Sequence, residues 1–163
     1  IAAHARLLRR DVIDMIWRAG SGHAGGSLSS AEIVAALYWS ELRIRPDDPG
    51  WPERDRLVLS KGHCAPVVYA ALARRGYFDV EVLSTFRRTG SVLQGHPDMR
   101  KTVGLDMTTG SLGQGLSVGL GMALAAIVAL GLPGGPVTEA SPPAQSSPAR
   151  PRQSSPSACP VAS

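Results

Sequence analysis

The chain has 163 residues and a formal net charge of +4 from 17 basic and 13 acidic side chains, a size that suits one domain with a modest core. Its basic residues come in scattered pairs (Arg9-Arg10, Arg74-Arg75, Arg87-Arg88, Arg100-Lys101) with acids between them; no basic stripe alternates with aromatics, which argues against nucleic acid and leaves anionic small molecules as partners. Cys64 and Cys159 share no metal-ligand or redox spacing, which fits a reducing, cytoplasmic setting.

Residues 3–19 predict an amphipathic helix, with Leu8, Val12, Met15 and Ile16 on one stripe and Gly20 after its last turn. The segment "GSGHAGGSLSS", 20–30, then reads as a loop between two helices. Ser29 is the expected N-cap of the second helix, with Glu32 closing a capping box and Leu28 and Ile33 forming a hydrophobic staple. After a turn rich in Pro, Asp and Gly, "RLVLS" at 56–60 predicts a buried parallel strand. It runs into "KGH" and then a helix from Ala65 to about Arg75, stopped by Gly76. Asp79 is expected to cap a short helix through Arg87, and an irregular stretch follows to Met107.

The segment "TTGSLGQGLSVGLGMALAAIVAL" begins as a glycine-rich turn and continues as a helix. Each glycine in such a helix costs about 1 kcal/mol relative to alanine, so Gly115, Gly119 and Gly121 suggest that something packs close. Residues 112–132 carry no charge, but Gly, Gln and Ser dilute the apolar run and no aromatic belt flanks it. A buried helix is therefore expected there, with no membrane partner. From Pro133 the composition changes: 8 of the 13 prolines and 7 serines fall within 31 residues, with no aromatic side chain. Such a stretch buries too little apolar surface to offset its ordering entropy, and 133–163 is expected to be a disordered tail behind an ordered body of 1–130. Because Ile1 stands where a Met would, the natural start is expected upstream.

Three of the four histidines follow a glycine: His23 in "SGHAGG", His63 in "SKGHCAP" and His96 in "LQGHPDM". Only His4 lies in an ordinary helical pattern. Core packing does not ask for that repetition, whereas converging loops with small neighbours would make a ligand site. His63 stands at the expected strand-to-helix crossing, where open α/β sheets bind ligands. Cys64 beside it reads as a small packed residue in preference to a nucleophile. No His-x₃-His or Cys-x₂-Cys pair offers a local metal site.

In order, "SGHAGGSLSSAEI", "RDRLVLSKGHCAP", "ALARRGYF", "LQGHPDM" and "TTGSLGQGLSVGLGMALA" resemble the N-terminal part of transketolase, in particular the stand-alone N-terminal subunits of split bacterial transketolases. The resemblance covers residues 3–126. It implies an α/β fold class: a partial thiamine-diphosphate-binding fold, a parallel sheet flanked by helices, helix-rich in the part present. It implies transfer of a two-carbon ketol unit between sugar phosphates with thiamine diphosphate and Mg2+ or another divalent metal. Partners implied are sugar-phosphate substrates, a C-terminal transketolase subunit or domain, and a second copy in a homodimer. By the same resemblance His23 and His96 are catalytic, near the substrate's hydroxyl and carbonyl oxygens. His63, Gly110, Ser111 and Leu112 are cofactor-binding, His63 near the diphosphate and the turn 110–112 against the rings.

The chain departs from the family after "GMALAA". There the family continues into "GDGE…N", whose Asp and Asn hold the metal, whereas this sequence reads "IVALGLPGGPVTEAS" and contains no Asn. Glu139 sits in no comparable motif, so no residue is assigned to the metal. The family's ring-protonating glutamate is also absent. These departures lead to the expectation that the chain is incomplete and inactive alone, its tail the product of a frameshift or premature end. The alternative is a non-catalytic remnant or interaction module of the same fold.

Overall fold

The structure, a computed structural model, describes residues 1–129, with side chains to residue 126. The tail expected at 133–163 lies outside them. The first helix, α1, spans Ala2–Ala19, and Ala5, Leu8, Val12 and Met15 form its buried stripe. Gly20 stops it at φ 63°, a left-handed conformation that glycine adopts without steric cost. Asp11 on this stripe is also buried, because Arg74 closes on it with Nε 2.7 Å from one carboxylate oxygen and a terminal nitrogen 2.9 Å from the other. Two short helices follow. They are α2, Ala24–Leu28, and α3, Ala31–Ala36, the latter running on as a wider π-helical turn through Glu41.

Arg74 belongs to α4, Ala65–Arg75, the centre of the molecule, in which every residue from Ala65 to Ala73 is buried. A helix apolar on all sides must be surrounded. Its alanines let α1 and α3 come close on either side, while burying Val67, Val68 and Leu72 contributes about 1.5–3 kcal/mol each. The helix ends as expected, in a Schellman motif: Gly76 N–H bonds to Ala73 O and Tyr77 N–H to Leu72 O, both 3.0 Å. Residues 80–85 form a 3-10 helix where a helix through Arg87 was expected; Asp79 precedes it without a side-chain cap bond.

Several expectations need correction. The connection 20–30 is helical from Ala24, and α3 starts after Ser30, not Ser29. No capping box forms, because Glu32 pairs with both terminal nitrogens of Arg9 on α1; a charged donor outcompetes a backbone N–H. No staple forms either, since Ile33 is 63% exposed. The segment 56–60 packs Leu57 and Leu59 against the core, yet among the described residues it has no ladder partner and no strand is present. Its place is held instead by Asp106, which accepts from Leu57 N–H at 2.7 Å and pairs with Arg54 and Arg56.

The last helix, α5, spans Gln114–Ala129. It was expected to be buried, but Leu112, Leu116, Leu120 and Leu124 form an exposed row that begins at the turn before it. Among the described residues its anchorage is at its start, where Gly115 meets Ser60; a Cβ on Gly119 or Gly121 would touch nothing within 4 Å. Among the described residues no helix is long and apolar enough to cross a membrane.

Candidate functional site

Glycines decide where the three motif loops meet. Gly62 of "KGH" lies so close to the turn before α5 that a Cβ on it would overlap Thr109 O. The same Cβ would stand 2.7 Å from Thr109 C and 2.9 Å from Gly110 N. Gly26 of "HAGG" meets Cys64 in the same way, and a Cβ there would lie 3.4 Å from His63 Nε2. Side chains at either position would drive the loops apart.

Polar groups then fasten the loops. The Gly26 carbonyl accepts from Ser30 Oγ (2.8 Å), Lys61 Nζ (3.0 Å) and Ser29 Oγ (3.1 Å). Ser27 Oγ donates to Cys64 O at 3.3 Å. On the other side, Ser60 receives Gly113 N–H on its carbonyl and Gly115 N–H on its hydroxyl, both at 3.1 Å. The outcome is a cluster with His23 at the N-cap of α2 and His63 in a 3-10 turn before α4. Their rings lie 5.4 Å apart, edge to face at 68°.

The turn 110–112 is the third side of this cluster. Gly110 and Ser111 are exposed, and a Cβ on Gly110 would meet nothing within 4 Å, so its backbone face is open. Leu112 borders an apolar cavity of about 390 Å³ together with Ile33, Leu37, Leu57 and Leu59, with Ser60 and Lys61 at its edge. Thr109 Oγ1 is buried and has no hydrogen-bond partner. A buried hydroxyl left over beside an open glycine backbone suits a ligand with acceptor atoms. On those two observations the residues present fit a ligand that carries hydrogen-bond acceptors. They do not fit a divalent metal: among the described residues no three His, Cys, Asp or Glu side chains gather as ligands.

His96 is placed differently. Tyr69 OH donates to Gln94 O (2.9 Å) and His96 O (3.1 Å), holding that loop from beneath while the His96 side chain is exposed. The link to the other loops runs through Arg87. Its Nη1 donates to Ser21 Oγ at 3.2 Å, and its guanidinium packs on Gly95, where a Cβ would stand 2.8 Å from Nε. His4 stacks on Trp39 at 4.4 Å, away from the cluster. Cys64 is buried, and burial pushes its thiol up, offset in part by Lys61 and Ser27. That is the wrong direction for a nucleophile. Sequence reasoning missed Lys61, Thr109 and Arg87. Lys61 lies two residues before His63 and Thr109 immediately before Gly110, but nothing in the string "FRRTG" singles out the third.

Residues 2–131 match the family described as transketolase, thiamine diphosphate binding domain. The chain belongs to the transketolase family. It is 59% identical over 121 residues to the SqwG subunit of the 6-deoxy-6-sulfo-D-fructose transketolase of Clostridium sp. (strain MSTE9), covering 74% of this chain and 44% of that subunit. It is 43% identical over 118 residues to one subunit of the apulose-4-phosphate transketolase of Phocaeicola vulgatus, covering 72% and 42%. Among solved structures, the transketolase of Campylobacter jejuni superposes with a TM-score of 0.74 at 40% identity, covering 79% of this chain and 20% of that one. The chain thus spans less than half the length of these transketolase relatives. Its helix-rich body corresponds to their N-terminal, cofactor-binding part.

Proposed function

We propose that this chain is the N-terminal, cofactor-facing part of a transketolase-type enzyme that moves a two-carbon ketol unit between sugar phosphates. The single observation that carries the reading is the backbone-to-backbone meeting of Gly62 with Thr109–Gly110 beneath the His23–His63 pair. Thiamine diphosphate, when bound, supplies the carbon nucleophile and takes up the electron pair as the carbon–carbon bond breaks. The chain's own residues do the rest. His63 is half-buried and donates to an anion, and Thr109 Oγ1, buried without a partner, offers a further donor, whereas Gly110 N–H is taken by Gln114 Oε1 at 3.4 Å. His23 and His96 are both exposed, free in this reading to take a proton from a substrate hydroxyl and to return one to its carbonyl oxygen, as imidazoles do. Ser111 and Leu112 bound the site on the ring side.

In this reading a complementary C-terminal subunit or domain completes the enzyme, and this chain alone turns over no sugar phosphate. That two of the relatives are themselves single subunits of transketolases supports a divided enzyme. The test is a calorimetric titration of the chain with thiamine diphosphate and Mg2+, set beside His63→Ala and His4→Ala. His63→Ala is expected to weaken binding by about 10- to 100-fold, for a lost charge-assisted hydrogen bond of roughly 1.5–3 kcal/mol. His4→Ala is expected to change nothing in binding. Equal effects of the two substitutions, or no binding by the unsubstituted chain, would overturn the reading.

A further inference from the structure

Arg87 has its backbone at φ 61°, in the left-handed region, and is the only non-glycine residue there among those described. An arginine gains nothing from that conformation by itself, and it persists only where the surroundings fix it. Four contacts do so here. Arg87 N–H donates to Leu93 O at 2.9 Å, which closes the chain between them into a turn. The guanidinium carbon lies 5.6 Å from the centre of the Phe86 ring, the group packs on Gly95, and Nη1 donates to Ser21 Oγ at 3.2 Å.

The seat of this guanidinium is shaped for it. A Cβ on Gly95 would stand 2.8 Å from Nε, 2.9 Å from Nη2 and 3.1 Å from Cζ, so a side chain there would push the group away. Phe86 is buried and meets Tyr69 edge to face at 6.2 Å, and Tyr69 OH in turn donates to Gln94 O and His96 O. The His96 loop is thus held both by Tyr69 and by Arg87. The stretch that carries His23 has less to hold it. Ser21, Gly22 and His23 are all exposed, and Gly22 at φ 146° takes a backbone conformation that other residues rarely adopt. Among the described residues, the Arg87–Ser21 bond is the hydrogen bond that joins this stretch to the His96 side.

We propose that Arg87 is a positioning residue: its guanidinium spans from the Ser21–His23 stretch to the Gly95–His96 stretch and fixes the separation of the two exposed histidines. The left-handed backbone aims the side chain across that gap, which accounts for a strained arginine in an otherwise unstrained turn. Lysine could not replace it, because an ammonium on a flexible stem has no planar fork with which to meet two partners at once. The inference rests on the proposed function only in taking these histidines as proton carriers.

The experiment is 15N relaxation dispersion on the chain without cofactor, which reads μs–ms exchange residue by residue. Amides of residues 21–23 and 94–96 report on the two stretches, and those of α4 are the control for the fold. The parent is expected to give flat profiles at all three. Glycine takes the left-handed backbone without steric cost, so Arg87→Gly keeps the turn and removes only the side chain. In it, dispersion should appear at both stretches and not in α4, with the released population raised about 2- to 10-fold for one lost hydrogen bond. Gly95→Ala should do the same with the arginine still present, because it unseats the guanidinium. Ser21→Ala should release 21–23 alone, since 94–96 keeps its contacts with Arg87 and Tyr69. Arg87→Lys should not restore the parent profile. Dispersion in the parent at either stretch, flat profiles in both Arg87→Gly and Gly95→Ala, or restoration by Arg87→Lys would overturn the proposal. Exchange that spreads equally through α4 would mark a general loss of stability and overturn the positioning role as well. Failure of thiamine diphosphate to bind the chain leaves every one of these outcomes unchanged, so the two readings fail separately.

Discussion

Replacing Gly62 by alanine is the sharpest test of how the site is assembled. A Cβ at this position would stand 2.7 Å from Thr109 C and 2.9 Å from Gly110 N, against 3.4–4 Å for ordinary contact. The loops would have to part by about 1 Å to bring Thr109 O, the atom the Cβ would overlap, to the near edge of that range. Both neighbours are backbone, so no rotamer change relieves the clash. Overpacking of this kind costs about 1–3 kcal/mol, and the separation falls where His63 and Gly110 face one another. Gly25→Ala is the matched control: a Cβ there meets nothing within 4 Å and its φ is not positive. On α2 it should be neutral or stabilise by up to about 1 kcal/mol. Urea unfolding followed by circular dichroism reads both, with an unchanged m-value showing that stability has changed and not the compactness of either state. Titration with thiamine diphosphate should in addition show weaker binding for Gly62→Ala only. A Gly62→Ala midpoint within error of the Gly25→Ala midpoint would refute the reasoning.

Asp106→Ala should cost about 3–5 kcal/mol, because it leaves the Arg54 guanidinium, on a side chain only 8% exposed, without its carboxylate. Urea midpoints check this, and a loss below about 1 kcal/mol would count against the role given to Asp106. At high pH the buried phenols of Tyr38 and Tyr69, pushed above the ordinary 10.0 chiefly by burial, should hold their protons in the folded chain where the unfolded chain releases them. Stability is then expected to fall as pH rises past about 10, and Tyr38→Phe should flatten part of that slope. A midpoint that stays constant from pH 8 to 11 would contradict it.

Helix ends were legible in the sequence where one residue decides them. Gly20 and Gly76 stop α1 and α4 because each takes up a left-handed conformation at the last turn. The helix from Ala65 to about Arg75 was read correctly, while its burial on every side came from the structure. The connection 20–30 was misread because its structure comes from distant partners: Glu32 goes to Arg9, and the short α2 is held by bonds to Gly26 O and Cys64 O. The run 56–60 looks like a strand because Leu57 and Leu59 alternate inward, and no local pattern could announce that Asp106 holds it. For the site, the Gly-His pairs pointed to three loops, of which those of His23 and His63 meet in the fold. What the histidines did not disclose is that Gly26 and Gly62 make their meeting possible. Arg87 was invisible, since a positive φ on an arginine is imposed by Ser21, Gly95 and Leu93 and leaves no trace in composition.

The Gly26 carbonyl, with its three donors from Ser29, Ser30 and Lys61, has a consequence for mutational scans of this protein. An acceptor orphaned by one substitution costs its full desolvation, but this oxygen keeps two partners whichever one is lost. Single replacements at 29, 30 or 61 are therefore silent where the loops are most densely bonded, and only combined replacements register. A scan of single variants would score as dispensable the very residues that share the task of holding His63 beside His23. Redundancy of this sort hides importance from one-at-a-time measurement, and pairs of substitutions are the unit in which this part of the chain has to be examined.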